Sequence, residues 1–311
     1  MDRRPSGLLM RVTRRSPVAL GSSGGTRTCN QPVNSRPLCQ LSYRGACYYY
    51  TSDGPYRQIL ALAHGARSDY NQVGDQMLSL EQQEAYRQRY TGMRPGWRPS
   101  SHVYQDLVAA RLTPGTRVLD LGCGRGGVVE RLHPRAGFVA GLDPDVMSLR
   151  EHRAPALALA CGLAEALPYA DSIFDLVCCS WVLEHLSDPD RVFAEVGRVL
   201  TPGGHFVFLT PNARHPLLVF NRVLRWTQGR LVGRFYDRAE ADTFPAFYRA
   251  NTPAQIKQLV RTAGLERVSL RFVGDPTYLA FNDVLFRLAC LLERVMPPPL
   301  RVHLVGEYVI V

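Results

Sequence analysis

The chain is 311 residues long and has a single lysine, Lys257, so almost all of its basic charge is arginine. It lacks any apolar run of about 18 residues, which leaves no segment with the pattern of a spanning helix. It lacks a C-x-x-C pair, so zinc ribbons and thioredoxin-like redox motifs are not indicated. The eight cysteines (Cys29, Cys39, Cys47, Cys123, Cys161, Cys178, Cys179 and Cys290) are scattered, three of them in apolar, strand-like runs. They read as buried free thiols in a reducing compartment, and the expected location is cytoplasmic. Acidic residues are scarce in one place only. Residues 1–45 hold eight arginines against Asp2 alone, which is +7 of the net +10, so the remainder of the chain carries only +3. No nucleic-acid partner is expected from so balanced a remainder.

What is present is ordinary for a globular protein, with 46% hydrophobic and 21% charged residues. Residues 1–45 are rich in Arg, Ser, Gly and Pro and are expected to be a disordered extension. An organelle transit peptide, or sequence added by an upstream start codon, would look the same. Residues 46–113 are expected to contain helices, over Leu78–Tyr90 and from an N-cap at Ser100 or Ser101 through Arg111. From residue 114 to 210 strands and helices alternate. Strands are predicted at 117–121, 138–143, 156–161, 174–181 and 205–210. Helices are predicted at Gly124–His133, Val146–His152 and Pro189–Leu200. An insertion, 211–252, follows. The C-terminal part, 253–311, should hold a helix (Pro253–Ala263), a strand (267–273), an apolar helix (278–296) and a last strand, "EYVIV" (307–311). Such alternation implies right-handed β-α-β crossovers and a mainly parallel sheet.

The first strand runs into "VLDLGCGRGG", where Gly122, Gly124 and Gly127 form G-x-G-x-x-G. Glycines let a ligand approach the backbone because no Cβ intervenes. Asp143 ends the second strand, 23 residues after Asp120. A carboxylate at that position suits the two hydroxyls of a ribose; the competing role is an N-cap on the next helix. NAD and S-adenosylmethionine both carry adenosine. Asp120 discriminates between them. A carboxylate beside the first glycine repels a pyrophosphate, whereas it suits the ammonium and sulfonium of S-adenosylmethionine.

"VLDLGCGRG", "GLDPD", "LAEALPYADSIFDLV" (163–177) and "SWVLEHLSDPDRVFAEVGRVLTPGGHFVF" (180–208) stand in one order and spacing. Together they resemble the class I S-adenosylmethionine-dependent methyltransferases, over roughly residues 102–275. The resemblance implies a Rossmann-like, doubly wound α/β fold whose seven-stranded sheet has order 3-2-1-4-5-7-6, with the last strand antiparallel. It implies S-adenosyl-L-methionine as cofactor. Gly122, Cys123 and Gly124 match the loop at the methionine and ribose parts, Asp120 the acid that orders that loop, and Asp143 the ribose-binding acid. Ala164 and Glu165 match the segment beside the adenine, and Ser180 the strand end facing the methionine amino group. Leu163 stands where many relatives have an adenine-binding Asp, so adenine recognition falls to backbone groups at Ala164.

Methyl transfer needs alignment and exclusion of water more than it needs a base. His185, in "LEH", and His215, in "TPNARHP", are the catalytic candidates. The first competes with a structural role behind the cofactor, the second with a solvated loop position. Trp181, Tyr169, Phe244, Phe247 and Tyr248 are candidates for an acceptor pocket. The insertion interleaves Leu217, Phe220, Leu224 and Leu231 with Arg222, Arg225, Arg230 and Arg234. It is expected to act as a lid, and a basic amphipathic stretch of this kind can rest on a membrane surface. The expected partner is a small-molecule acceptor, with a lipophilic quinone, isoprenoid or lipid-linked compound as one class. A catalytically silent cofactor-binding module, an RNA or protein methyltransferase and an NAD-dependent oxidoreductase are the alternatives. The absence of an N-P-P-Y type signature after the fourth strand weighs against adenine-N6 enzymes.

Overall fold

The computed structural model describes residues 39–43, 46–50, 60–61, 80–220 and 245–311. Strands β1 (Cys39–Tyr43), β2 (Ala46–Tyr50) and β3 (Leu60–Ala61) pair antiparallel in a small sheet of their own. β1 falls inside the segment expected to lack structure. β-prone sequence, with Tyr43 in β1 and Tyr48, Tyr49 and Tyr50 in β2, favours strand pairing there. The rest of that segment lies outside the described residues.

Helices α1 (Leu80–Met93) and α2 (Ser100–Ala110) follow. The expected serine cap of α2 is not used. Pro99 occupies the cap position without a side-chain hydrogen bond, and Ser100 is already helical and buried. The core then runs β4 (Arg117–Leu121), α3 (Val128–Leu132), β5 (Phe138–Asp143), α4 (Val146–Arg150), β6 (Ala158–Cys161), β7 (Phe174–Ser180), α5 (Pro189–Val199) and β8 (Leu200–Pro211). After the insertion come α6 (Pro253–Thr262), β9 (Leu265–Val273), α7 (Asp283–Val295) and β10 (His303–Ile310).

The seven main strands lie in the order β6-β5-β4-β7-β8-β10-β9. β4, β5, β6, β7 and β8 are parallel, and β10 inserts antiparallel between β8 and β9. This is the 3-2-1-4-5-7-6 order the motifs imply. Alternate residues of the strands face opposite layers. Leu119, Val177, Phe206 and Phe208 pack with Val192, Phe193 and Val196 of α5 and Ile256, Leu259 and Val260 of α6. Val118, Leu176, Cys178, Val207 and Val305 pack with Tyr104, Leu107 and Val108 of α2 and Val129 and Leu132 of α3. The two sides together make a three-layer α/β sandwich. Asp188 caps α5 through the Arg191 N–H at 3.3 Å, and Pro189 opens that helix.

Among the element boundaries that differ from expectation, three have a local reason. The helix expected from Gly124 starts only at Val128, because Gly122, Gly124 and Gly126 all hold positive φ and keep the backbone in a loop. The apolar helix expected at 278–296 is interrupted. A 3-10 turn, Pro276–Leu279, precedes α7, whose N-cap Asn282 accepts the Leu285 N–H at 2.9 Å. The last strand begins at His303 rather than Glu307, since Gly306 permits close contact: a Cβ there would meet the Phe208 ring at 2.4 Å. Cys123, Cys161, Cys178, Cys179 and Cys290 are buried free thiols.

Candidate cofactor and acceptor site

The glycine loop leaves the carboxyl end of β4 and is held by backbone geometry. The N–H groups of Gly122 and Cys123 both donate to the Leu142 carbonyl, at 2.7 and 3.2 Å. Gly122 has φ +75°, and a Cβ there would lie 2.1 Å from Val182 Cγ2. No residue with a side chain fits that position without displacing Val182. Cys123 packs down on β5, where a Cβ on Gly141 would come within 2.8 Å of its sulfur. The loop's outer edge is thereby left as bare backbone.

Asp143 organises the far side. Its carboxylate accepts the Gly124 N–H and the Asp145 N–H, each at 2.8 Å. Burial pushes its carboxyl above the usual range, and these two backbone donors pull it back. The N-cap of α4 is Asp145, which accepts from the Met147 and Ser148 N–H groups at 3.1 Å. The competing role for Asp143 is therefore taken by its neighbour. Asp120 is 8% exposed beneath the loop. Burial, then the nearby Asp143, pushes its carboxyl up to about 7, and among the described residues no cation offsets this. The ties that order the loop come from Asp143 and Leu142 rather than from Asp120. A buried carboxylate without a counter-ion suits a cationic ligand and opposes a pyrophosphate. The cradle that excludes a Cβ, together with these two acids, fits S-adenosylmethionine.

Ala164 and Glu165 lie in the turn after β6, where the Glu165 carboxylate accepts from Ser187 Oγ at 3.3 Å. Ser180 ends β7, paired with Leu209 of β8. The next residue, Trp181, holds φ +60°, an uncommon backbone state for a bulky side chain. Its N–H donates to the Leu209 carbonyl at 2.9 Å, and its ring meets His303 edge-on at 5.0 Å.

His303 opens β10 opposite Pro211 of β8 and Val273 of β9, at the ligand-binding edge of the sheet. Its Nε2 shares a 2.8 Å hydrogen bond with the Tyr278 hydroxyl. Its Nδ1 is buried without a partner, and burial pushes the imidazole down to about 4. His215 is similar: 5% exposed, Nδ1 unpartnered, and pushed down to about 4 by burial. The solvated position considered for His215 is not what the fold provides. Two neutral imidazoles, each with an orphaned nitrogen, stand beyond the end of β8 and at the start of β10. Each such buried nitrogen costs about 1–3 kcal/mol unless a ligand or water satisfies it.

His185 has partners of its own. It sits in the 3-10 turn Leu183–His185, with Nδ1 3.3 Å from the Pro245 carbonyl and Nε2 3.9 Å from Glu184. The Glu184 carbonyl accepts the Phe247 and Tyr248 N–H groups, at 2.7 and 3.1 Å. Its carboxylate accepts from Thr210 Oγ1 at 3.0 Å, which accepts in turn from Asn251 Nδ2 at 2.6 Å. The "LEH" turn thus anchors the returning end of the insertion. Of the aromatic candidates, Tyr169 is core, edge-on to Phe174, and Phe247 is exposed beneath Arg249. Phe244 and the insertion's Arg222, Leu224, Arg225, Arg230, Leu231 and Arg234 lie outside the described residues.

Sequence reasoning missed His303 and Tyr278. Both lie after the quoted motifs. The one available signal was "DPTYL", where Asp275 caps the turn by accepting the Thr277 N–H at 3.0 Å.

Residues 119–208 match the family model described as a methyltransferase domain. That segment, from β4 into β8, is what the chain shares with methyltransferases, some of them named as S-adenosylmethionine-dependent. A probable S-adenosylmethionine-dependent methyltransferase of Mycolicibacterium smegmatis is 32% identical over 166 residues, 53% of this chain and 56% of that protein. A ubiquinone biosynthesis O-methyltransferase of Alkalilimnicola ehrlichii is 37% identical over 109 residues, 33% of this chain and 44% of that protein. The chain spans about half the length of these curated relatives. Among solved structures, geranyl diphosphate C-methyltransferase from Streptomyces coelicolor superposes with a TM-score of 0.51. The match is 14% identical and covers 78% of this chain and 90% of that one. At that identity the likeness establishes the fold.

Proposed function

We propose that the protein transfers a methyl group from S-adenosylmethionine to a small, lipophilic acceptor, with a phenol-like hydroxyl as the favoured acceptor group. The observation that carries the cofactor half is the buried, uncompensated Asp120 beneath a loop that excludes any Cβ at Gly122. The acceptor half is supported by the aromatic and neutral-histidine surroundings of Trp181, His303, Tyr278 and His215. The ubiquinone-pathway relative, an O-methyltransferase by name, agrees with it.

When bound, S-adenosylmethionine supplies a methyl carbon already activated by its sulfonium. The chain's own residues do the rest. The backbone from Gly122 to Gly124 carries the methionine and ribose parts, and Asp143 accepts from the ribose hydroxyls. Asp120 balances positive charge. Ala164 and Glu165 flank the adenine, and Ser180 offers its backbone to the amino group. Trp181 closes one wall and excludes water. His303 and His215, both neutral, are the groups suited to take the acceptor's hydroxyl proton, each through whichever ring nitrogen its tautomer leaves unprotonated, as the new O–C bond forms and the methyl's bond to sulfur breaks. His185 serves as a positioning residue for the returning insertion.

The test is transfer of labelled methyl from S-adenosylmethionine into an organic-soluble product of a lipid extract. Label should enter the organic phase with wild type and disappear with Asp143→Ala. Label confined to protein or RNA would overturn the acceptor assignment.

A further inference from the structure

Helix α7 is buried on one side and apolar on the other. Phe286, Ala289, Cys290 and Glu293 face the protein. There, Phe286 joins Tyr90 and Ala280, with Trp97 and Tyr86 packed against them. One helical turn apart on the opposite side stand Val284, Leu288, Leu291 and Val295, which are 76, 50, 59 and 79% exposed. Leu285 and Leu292 widen this stripe, and Phe281 extends it beyond the N-cap. Isolated exposed apolar residues are commonplace, but a continuous stripe along a whole helix marks an interaction surface.

Charge identifies the occupant. Arg287 and Arg294 flank the stripe on one side, and neither forms an ion pair among the described residues. The only exposed acid of the helix, Asp283, is bound by Arg89 at 2.8 Å. Arg287, Arg294 and Arg94 also line a groove of about 530 Å³ between α1 and α7, floored by Tyr90, Met93 and Leu291. A second copy of the chain docking through this face would set those arginines against their own counterparts, since a two-fold interface brings a patch onto itself. Thirteen residues are too few to cross a bilayer, and among the described residues no helix is long and apolar enough to do so.

We propose that the outer face of α7 docks on an anionic lipid surface, with Val284, Leu288, Leu291 and Val295 entering the acyl boundary and Arg287 and Arg294 meeting the phosphates. This is the geometry of an interfacial helix lying in the membrane plane. The groove beside it would receive a headgroup. α7 also begins five residues after Tyr278, and Trp97, packed behind it, donates from Nε1 to the Gly274 carbonyl at 2.8 Å. Docking would therefore hold the acceptor side of the site near the bilayer. That consequence rests on the proposed lipophilic acceptor; the docking itself does not.

Flotation of the full chain with vesicles tests the proposal without any methyl transfer. Wild type should float with phosphatidylcholine vesicles containing phosphatidylglycerol at low salt and be released as salt screens the charge. Leu288→Asp with Leu291→Asp should lower partitioning at least about tenfold. Both side chains are exposed, so melting temperature and cofactor affinity should stay unchanged. Arg287→Glu with Arg294→Glu should weaken binding to the anionic vesicles by about thirtyfold, each arginine contributing about fivefold near such a surface. The proposal is overturned if wild type fails to float, or if it floats equally well with pure phosphatidylcholine. It is overturned too if the leucine variant floats like wild type, which would assign binding to another basic segment. A wild-type dimer that the leucine variant converts to monomer, without flotation, would make the face a contact between copies.

Discussion

The two ends of the sheet's ligand-binding edge are built by different means. At β4, β5 and β7 the site is mostly backbone: a turn that tolerates only glycine at Gly122, a shared carbonyl at Leu142, and one carboxylate, Asp143, that ties two segments together. Past the ends of β7, β8 and β9 and at the start of β10 it is mostly side chain. Trp181, His215, Tyr278 and His303 come from separate stretches and meet only through the fold. The first construction suits a ligand that never changes, because backbone groups cannot vary with sequence. The second suits an acceptor that differs from one relative to the next.

The largest effect should come from breaking the backbone end. Gly122→Val forces a branched side chain into positive φ and into Val182. We expect a cost of about 3 kcal/mol or more and a cofactor affinity at least about a hundredfold lower, measured by calorimetry. Unchanged affinity would mean that the loop is not the cradle.

The side-chain end should respond in rate rather than in cofactor affinity. His303→Gln and His215→Gln should each lower kcat, about a hundredfold for whichever histidine takes the proton. Cofactor Kd should hold in both. Tyr278→Phe should change the pH profile of kcat with a smaller loss. Equal losses of Kd and kcat would place these residues in the cofactor half and erase the contrast.

Asp143→Ala removes both the acceptor for ribose hydroxyls and the partner of two backbone donors. Charge-assisted bonds contribute about 1.5–3 kcal/mol each, so affinity should fall at least about tenfold. Retention of wild-type affinity in this variant would sink the ribose role.

The smallest effect is a pH dependence with opposite signs at the two ends. The Asp120 carboxyl is raised to about 7, so folding favours its protonated form. Its contribution to stability is full below the ordinary carboxylate range and is lost as pH rises through about 7. The cationic cofactor needs the ionised form, so affinity should rise several-fold from pH 6 to 8 with proton release. Asp120→Asn should flatten both trends. His215 and His303 are lowered to about 4, so their contribution is present above about 6.5 and is lost as pH falls toward 4. Comparing Asp120→Asn with wild type, by melting temperature across this range, separates the acid from the histidines.

The same contrast explains what was legible in the sequence. The strand order, the glycine loop, Asp143 and the helix pattern of α5 are local signals, carried by residue type at fixed spacing. The late start of α3 was not legible, because G-x-G-x-x-G reports where glycine is needed but not how many residues hold positive φ. His303 was hidden by Gly306, which reads as a break yet lies inside β10 because Phe208 presses against it. Tyr278 and His303 are 25 residues apart and carry no motif. Only the antiparallel return of β10 brings them to the ligand edge, so pattern and spacing had nothing to report.

The central claim is that the chain moves a methyl group from S-adenosylmethionine to a lipophilic acceptor. The most direct measurement follows labelled methyl and S-adenosylhomocysteine together, using the full chain and a lipid extract. The account predicts equimolar formation of S-adenosylhomocysteine and of an organic-soluble labelled product, both abolished by Gly122→Val. Binding of S-adenosylmethionine with no transfer to any extract would contradict it and leave a silent cofactor-binding module. Tight binding of NADH in its place would contradict the cofactor itself.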